Sequence, residues 1–253
     1  MTSPQHILPH LYEGGWSACM DFPKYFHMFR TCESEYPYLG LQHPTTGKWY
    51  YYARLPMGTR QSPAGSGRIG NAFLRMIIET NPCFQGTPVD NSLVGQLLLK
   101  LHTPSFGEGW VLLDEEGIPC VLPWLHVDDL LLHGPTLSKT TAALNFVMDE
   151  ALRVGLICQA KKTVLPCQQL CFCSFLYDTG GIPSLSIPED KISRAVSFID
   201  YLLQGTTGRL ARLSVAMVVG VLQSLVEATP GNIVASFLQG VYLDLHALED
   251  PLL

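Results

Sequence analysis

The sequence predicts an α+β fold in two parts, a strand-rich region over residues 1–187 and an all-helical region over 188–253. Three observations predict it. Two apolar runs, Val121–Val127 and Leu130–Leu132, flank Asp128 and Asp129, the pattern of a β-hairpin with acids at its tip. Another strand-like run, Trp16–Met20, also ends on an acid, Asp21. From Pro188 the period changes to 3.6, with Ile192, Ala195, Val196, Ile199, Leu202 and Leu203 forming one stripe expected to be buried.

Residues 15–55 read as short strands and turns, and Lys48–Leu55 is rich in tyrosine. Pro56, Gly58 and Pro63 punctuate a turn, after which Gly70–Glu79 reads as a helix. Asn81–Gly117 mixes a helix, Leu93–Leu101, with proline- and glycine-rich loops. Beyond the acid-tipped hairpin, Ser138 is expected to cap a helix running to about Arg153. Its buried face is Leu144, Val147, Met148, Ala151 and Leu152, and Gly155 is its stop. A strand pair is expected around Leu156–Val164 and Leu170–Tyr177. Pro188, Glu189 and Asp190 open the next helix, where the dipole favours acids, and Gly205 ends it. Two further helices, Leu210–Ala228 and Ile233–Leu248, are separated by Thr229, Pro230 and Gly231.

At 253 residues and 47% hydrophobic, the chain has enough apolar material for a proper core and is not a disordered tract. The longest apolar stretch, Ser214–Val226, carries Gln223 and Ser224 and is shorter than the ~20 residues a membrane helix needs. The first residues show no basic segment followed by an apolar core, so a secretory signal is absent from the reading. Eight cysteines without such a signal indicate a reduced, intracellular protein of the cytoplasm or nucleus. Cys158, Cys167, Cys171 and Cys173 cluster, but their spacing matches no common zinc finger. Cys171 and Cys173 share a strand-like run with Phe172, so buried or half-buried thiols are expected rather than a metal site.

The net charge of −6 runs against a nucleic-acid grip spread over the whole surface. Charge is unevenly placed, however: Lys24, Arg30, Lys48, Arg54, Arg60, Arg68 and Arg75 load the first third with cations. A local basic strip can work on an acidic molecule.

Adjacent acids at a hairpin tip repel each other unless a cation lies between them. Magnesium takes hard oxygen ligands, usually one or two carboxylates completed by substrate phosphates. An acid on a neighbouring strand would complete a two-metal clamp for in-line attack at phosphorus, and Asp21 is the candidate. Taken alone, Asp128-Asp129 between apolar runs is equally a plain polar turn.

The order of segments along the chain adds to that reading. Met20-Asp21-Phe22-Pro23-Lys24-Tyr25-Phe26-His27 resembles the first catalytic segment of reverse transcriptases, an acid followed five positions later by an aromatic. Leu55-Pro56-Met57-Gly58-Thr59-Arg60-Gln61-Ser62-Pro63 resembles their LP-x-G-x-x-x-x-P segment. Leu125-His126-Val127-Asp128-Asp129 is similar to their Y-x-D-D hairpin. Gly155–Pro166, with Lys161, Lys162 and Thr163, resembles the LGL-x-x-x-x-KS-x-x-P segment, and Phe172–Asp178 the primer-gripping hairpin that follows. Val218–Leu222 and Ala228–Gly231 are similar to the thumb region of Gypsy-like and especially DIRS-like retroelements. The resemblance runs from about residue 7 to 248.

It implies a ferredoxin-like polymerase palm, an antiparallel sheet with packed helices, followed by a helical thumb. It further implies an RNA-directed DNA polymerase that uses two magnesium ions (manganese as a substitute), dNTPs and a primer–template with an RNA or DNA template. By the same resemblance Asp21 and Asp128 would ligate both ions, with Asp129 beside them and the Phe22 carbonyl as a further ligand. Phe26 would be the steric gate against a ribose 2′-hydroxyl, and Met57, Gly58 and Pro63 the floor under the incoming base and template. Lys162 would stand near the pyrophosphate as proton donor, and Phe172 and Ser174 would flank the primer end. Read without the resemblance, Phe26 and Met57 are also ordinary core residues and Lys162 a solvated strand-end charge.

The chain departs from the family at several points. His126 replaces the usual tyrosine, Cys173-Ser174 stands where leucine-glycine is usual, and Glu79–Leu122 is longer than usual. Upstream of Asp21 there are only His6 and His10 and no lysine or arginine, so the fingers are expected to be largely absent, with a remnant inside residues 1–187. A second reading follows: a truncated, inactive relative of that fold that binds nucleic acid or protein. A nucleotide cyclase on a similar palm is disfavoured, because the LP-x-G segment and the thumb-like tail have no role there.

Overall fold

A computed structural model describes residues 7–59, 62–85, 87–88, 101–103, 107–109, 112–113 and 120–204. The expected helices at 210–228 and 233–248, most of the one at 93–101, and Arg60 lie outside the described residues.

The central sheet is built from β1 (Trp16–Asp21), β4 (Leu122–His126), β5 (Asp129–Gly134) and β6 (Val164–Cys167), all antiparallel, in the order β6-β1-β5-β4. After β1 come a one-turn helix α1 (Tyr25–Met28) and a two-stranded hairpin, β2 (Gly40–Gln42) with β3 (Trp49–Tyr51). Helix α2 (Ser62–Thr80) then leads towards β4, and α3 (Leu137–Arg153) joins β5 to β6. With α2 and α3 as crossovers the sheet follows a β-α-β-β-α-β path, the order of the ferredoxin-like split βαβ unit. Two short ladders, Thr87–Pro88 with Leu112–Leu113 and Leu101–Thr103 with Gly107–Gly109, fall between α2 and β4. Leu101, expected to end a helix, therefore opens a strand.

Strand alternation sorts the core into two layers. Ala18, Met20, Leu130 and Leu132 point to the helices, where Phe73, Leu74 and Ile77 of α2 and Ala143, Leu144 and Val147 of α3 meet them. Cys19, Leu131, Leu122 and Trp124 point the other way, onto β7 (Gln169–Phe172) and β8 (Phe175–Asp178). Those two strands and β9 (Ser184–Ser186) form a second antiparallel sheet, β7-β8-β9. Helix α4 (Glu189–Gln204) follows.

Several expectations need correction. Helix α2 begins at Ser62, well before Gly70, because the Ser62 hydroxyl donates to the Pro56 carbonyl at 2.7 Å and folds the preceding turn over the helix start. The cap of α3 is Thr136 and not Ser138: Thr136 is extended, and its hydroxyl accepts from the Lys139 N–H at 3.2 Å. Leu152 on α3 is exposed. The segment 156–163 is not a strand but a loop ending in the 3-10 turn Ala160–Lys162, and 169–178 is itself a hairpin whose two-residue turn is Cys173-Ser174. Cys173 thus lies in a turn instead of a strand, though half-buried as expected, whereas Cys171 is exposed. On α4 Ala195 is buried but Ile192, Val196 and Ile199 are exposed, so the expected stripe is not buried as a whole; the side chains of Leu202 and Leu203 lie outside the described residues. Among the described residues no helix is long and apolar enough to cross a membrane.

Candidate active site

The register of the β1–β5 ladder sets the site. Trp16 pairs with Gly134 at one end, and Asp21 stands directly opposite Asp129 at the other. Asp129 is also the partner of His126 across the β4–β5 hairpin, whose two loop residues are Val127 and Asp128. The Phe22 N–H donates to the Asp128 carbonyl at 2.9 Å, extending the ladder past the strand end and fixing the turn beside Asp21. Val127 has φ +57, as the first loop position of a tight hairpin requires. For a β-branched side chain that is costly, roughly 1–3 kcal/mol. The surrounding ladder imposes it.

The fourth polar group arrives by a separate route. Helix α3 ends in a Schellman turn: Leu156 N–H bonds to Ala151 C=O at 2.7 Å, Gly155 N–H to Leu152 C=O at 3.1 Å, and Gly155 takes φ +81. Leu156 and Ala151 both enter the helix-side core, which anchors the reversal. The chain then returns to the end of β1, where Gln159 N–H donates to Asp21 C=O at 3.0 Å. The 3-10 turn that follows places Lys162 Nζ 3.3 Å from Asp21 Oδ1. The lysine side chain is 60% exposed and the acid's 11%, so the pair is worth only ~0–1 kcal/mol and is easily opened.

The charges are poorly balanced. Asp21 Oδ2 is buried with no hydrogen-bond partner, as is His126 Nδ1. Burial pushes the Asp129 carboxyl up to about 6, and the charges of Asp128 and Asp21 push in the same direction, opposed by Lys162 and His126. Behind the acids, burial and then the Asp128 charge push Tyr25 up to about 12. A buried, unpartnered carboxylate oxygen beside two more acids is the environment that a hard divalent cation relieves. Among the described residues no three His, Cys, Asp or Glu side chains converge to enclose an ion by themselves.

The other expected residues fall in different places. Phe22 is fully buried, so only its backbone is available to the site. In α1 it is Tyr25 that enters the core, its hydroxyl donating to Ser66 C=O at 3.2 Å, while Phe26 is half-buried with its ring edge-on to Tyr25 at 6.2 Å. Met57 is exposed, Gly58 has φ +85, and Pro63 lies exposed in the first turn of α2; no hydrogen bond or ion pair among the described residues ties these three to the acids. Phe172 does not flank an open edge. Its ring points into the core with Leu170 and Tyr177, by the alternation of β7; at the turn Cys173 is half-buried against the same core and Ser174 is exposed. Sequence reasoning missed Tyr25 and Gly70. A Cβ on Gly70 would meet Leu125 Cδ2 and Tyr25 Oη (the latter at 2.5 Å), so this glycine lets α2 seat both the strand and the aromatic beneath the acids. With the helix read as starting at Gly70, its place inside a helix, the usual signal of close packing, was hidden.

Comparison with solved structures identifies the class of fold: it is that of reverse transcriptases. The chain is similar to a foamy viral protease–reverse transcriptase in complex with RNA/DNA hybrid (TM-score 0.58, 16% identity, 88% of this chain and 23% of that one). A foamy viral protease–reverse transcriptase in complex with double-stranded DNA gives TM-score 0.57 at 16% identity, over 98% of this chain and 33% of that one. The chain spans between 23% and 33% of the length of these two relatives. No protein-family model matches the sequence, and no curated protein matches it.

Proposed function

We propose that the chain is the polymerase palm and thumb of a retroelement reverse transcriptase of the Gypsy-like or DIRS-like kind, with the palm in residues 1–187 and the thumb in 188–253. The reaction is nucleotidyl transfer from a dNTP to a primer 3′-hydroxyl on an RNA or DNA template. One observation carries the reading: Asp21 faces Asp129 across the ladder, with Asp128 fixed in the turn by the Phe22 N–H. Asp21 and Asp128 would hold two magnesium or manganese ions, with Asp129 beside them and the Phe22 carbonyl as a further ligand. When bound, the ions activate the attacking hydroxyl and stabilise the charge on the leaving pyrophosphate.

The chain's own residues do the rest. Lys162, whose side chain is exposed, leaves Asp21 and offers a proton to the pyrophosphate. Half-buried Phe26 presents its ring where a ribose 2′-hydroxyl would project. Met57, Gly58 and Pro63 support the incoming base and template, and Ser174 at its turn tip meets the primer. The second reading, an inactive binding module on the same fold, draws on the net charge of −6 and on Lys162 already lying on Asp21. Primer extension on poly(rA)/oligo(dT) separates them. The polymerase reading expects metal-dependent extension that is lost in Asp21→Asn and in Asp128→Asn; substantial extension by either variant removes the site assignment, and none by the parent chain favours the binding module.

A further inference from the structure

The β2–β3 hairpin plays no part in the site above, yet it carries the densest group of exposed aromatic rings among the described residues. Every residue of both strands is exposed. Trp49 is 71% and Tyr51 58% exposed, and Tyr38 just before β2 reaches 82%. Residues two apart in a strand share a face, so Trp49 and Tyr51 project together, their Cα atoms ~7 Å apart. Tyr36 stacks on Tyr51 with ring centroids 4.4 Å apart and planes 19° from parallel, so the two rings cover one face of each other and already form the kind of stack that a base can continue. A hairpin with three residues per strand and no buried face gains little from folding. Exposed apolar rings in that position signal an interaction surface.

Chemistry selects the occupant. The surface is aromatic rather than aliphatic, with Leu41 the exposed aliphatic residue on these strands. Lys48 adjoins Trp49 in sequence, and Arg30 and Arg54 face each other at the base of the arm. Arg54 is held there by donating to the Met28 carbonyl at 2.8 Å. With Lys24 just upstream, four cations face two carboxylates, Glu33 and Glu35, over residues 22–59, against the negative balance of the whole chain. Rings that take unpaired bases, bordered by cations that track phosphates, are the two parts of a single-strand binding surface. The base of the arm is pinned by Thr31 N–H to Ala53 C=O at 3.2 Å and Leu55 N–H to Phe29 C=O at 3.1 Å, so the platform is presented on a fixed stem.

We infer that the hairpin arm binds single-stranded nucleic acid, by stacking bases on Tyr36, Tyr51 and Trp49 and drawing phosphates to Lys48, Arg30 and Arg54. Each ring takes its own base, without regard to sequence. The binding needs no metal, dNTP or primer, so it stands or fails apart from the polymerase reading.

The test is fluorescence anisotropy of the full chain with labelled oligo(dT), in EDTA and without dNTP, beside a blunt duplex of equal length. The parent chain is expected to bind the single strand. The Trp49→Ala/Tyr51→Ala double variant should weaken that binding about tenfold or more and leave the duplex unaffected, and Lys48→Gln should lower the salt slope by about 0.7. An abasic oligonucleotide of the same charge, which requires no variant, should bind the parent chain at least about tenfold more weakly than oligo(dT). Failure of the parent chain to bind oligo(dT), equal affinity for the abasic strand, or equal loss on single strand and duplex overturns the proposal. So does a change in sedimentation mass of the double variant with unchanged oligonucleotide affinity, which would make the arm a contact between protein chains.

Discussion

Two polar pairs lie across the same β1–β5 ladder, four residues apart, and they are built in opposite ways. At one end Ser17 faces His133, and at the other Asp21 faces Asp129. His133 is completely buried and completely satisfied: its Nε2 accepts from the Tyr12 N–H at 2.8 Å, which leaves the proton on Nδ1 to be donated to Ser17 Oγ at 2.8 Å. Asp21 keeps a buried oxygen with no partner, and its charge and that of Asp128 both bear on Asp129. A buried polar group with all its bonds made within the protein is structural. One left without a partner by the fold is arranged for something that arrives later. The ladder therefore has a finished end and an open end.

Substitution at the two ends should act in opposite directions on stability. His133→Leu leaves the Tyr12 N–H and the Ser17 hydroxyl buried without partners, at ~1–3 kcal/mol each. A loss of about 2–4 kcal/mol is expected from chemical denaturation; a change near zero would mean that the imidazole contributes only volume. The next effect is acid lability. Burial pushes His133 down to about 3 from an ordinary 6.5, so the unfolded chain takes up the proton first. Its contribution is whole above pH 6.5 and drains away as pH falls towards 3, by about 2 kcal/mol at pH 5. Denaturation midpoints at pH 7 and pH 5 measure it, and the slope should shrink in His133→Gln, which titrates nowhere in that range. At the open end Asp129→Asn removes repulsion, so the metal-free protein should melt higher, by an amount equivalent to about 1 kcal/mol. A lower melting temperature would show that the acids support each other in the fold.

The smallest effect concerns the two tight turns. Val127 at the acids and Cys173 (φ +48) with Ser174 (φ +75) at the β7–β8 tip are all non-glycine residues in the left-handed region. Asn-Gly is the pair that a turn with both angles positive prefers. Cys173→Asn with Ser174→Gly should stabilise by about 0.4–1 kcal/mol, read as a rise in melting temperature. No gain would indicate that packing of Phe172 against Phe175 already sets the turn.

Much of the sheet was legible because its strands alternate or run apolar against clear turn signals. The acid-tipped hairpin and the strand ending at Asp21 follow from that pattern. What stayed hidden depended on partners distant in sequence. Nothing local says that Asp21 lies opposite Asp129, since that is a property of register, although the resemblance of the two segments to one family pointed the same way. Helix α2 begins early because a serine bonds back to Pro56, a contact that periodicity does not see. The resemblance set Phe172 beside the primer end, while the pleat of β7 sends its ring into the core. The segment 156–163 looked like a strand from its apolar residues, but the Schellman turn and the bond from Gln159 to Asp21 hold it as a loop. The helical region beyond 204 was read from the sequence and lies outside the described residues.

The most direct test of the open end is melting of the full chain in excess magnesium and in EDTA, for the parent and for the Asp21→Asn/Asp128→Asn double variant. Magnesium should raise the melting temperature of the parent, because the ion offsets repulsion that the fold leaves unbalanced, and the double variant should melt at one temperature in both conditions. Equal melting of the parent with and without magnesium, or an equal metal shift in both proteins, would contradict this expectation.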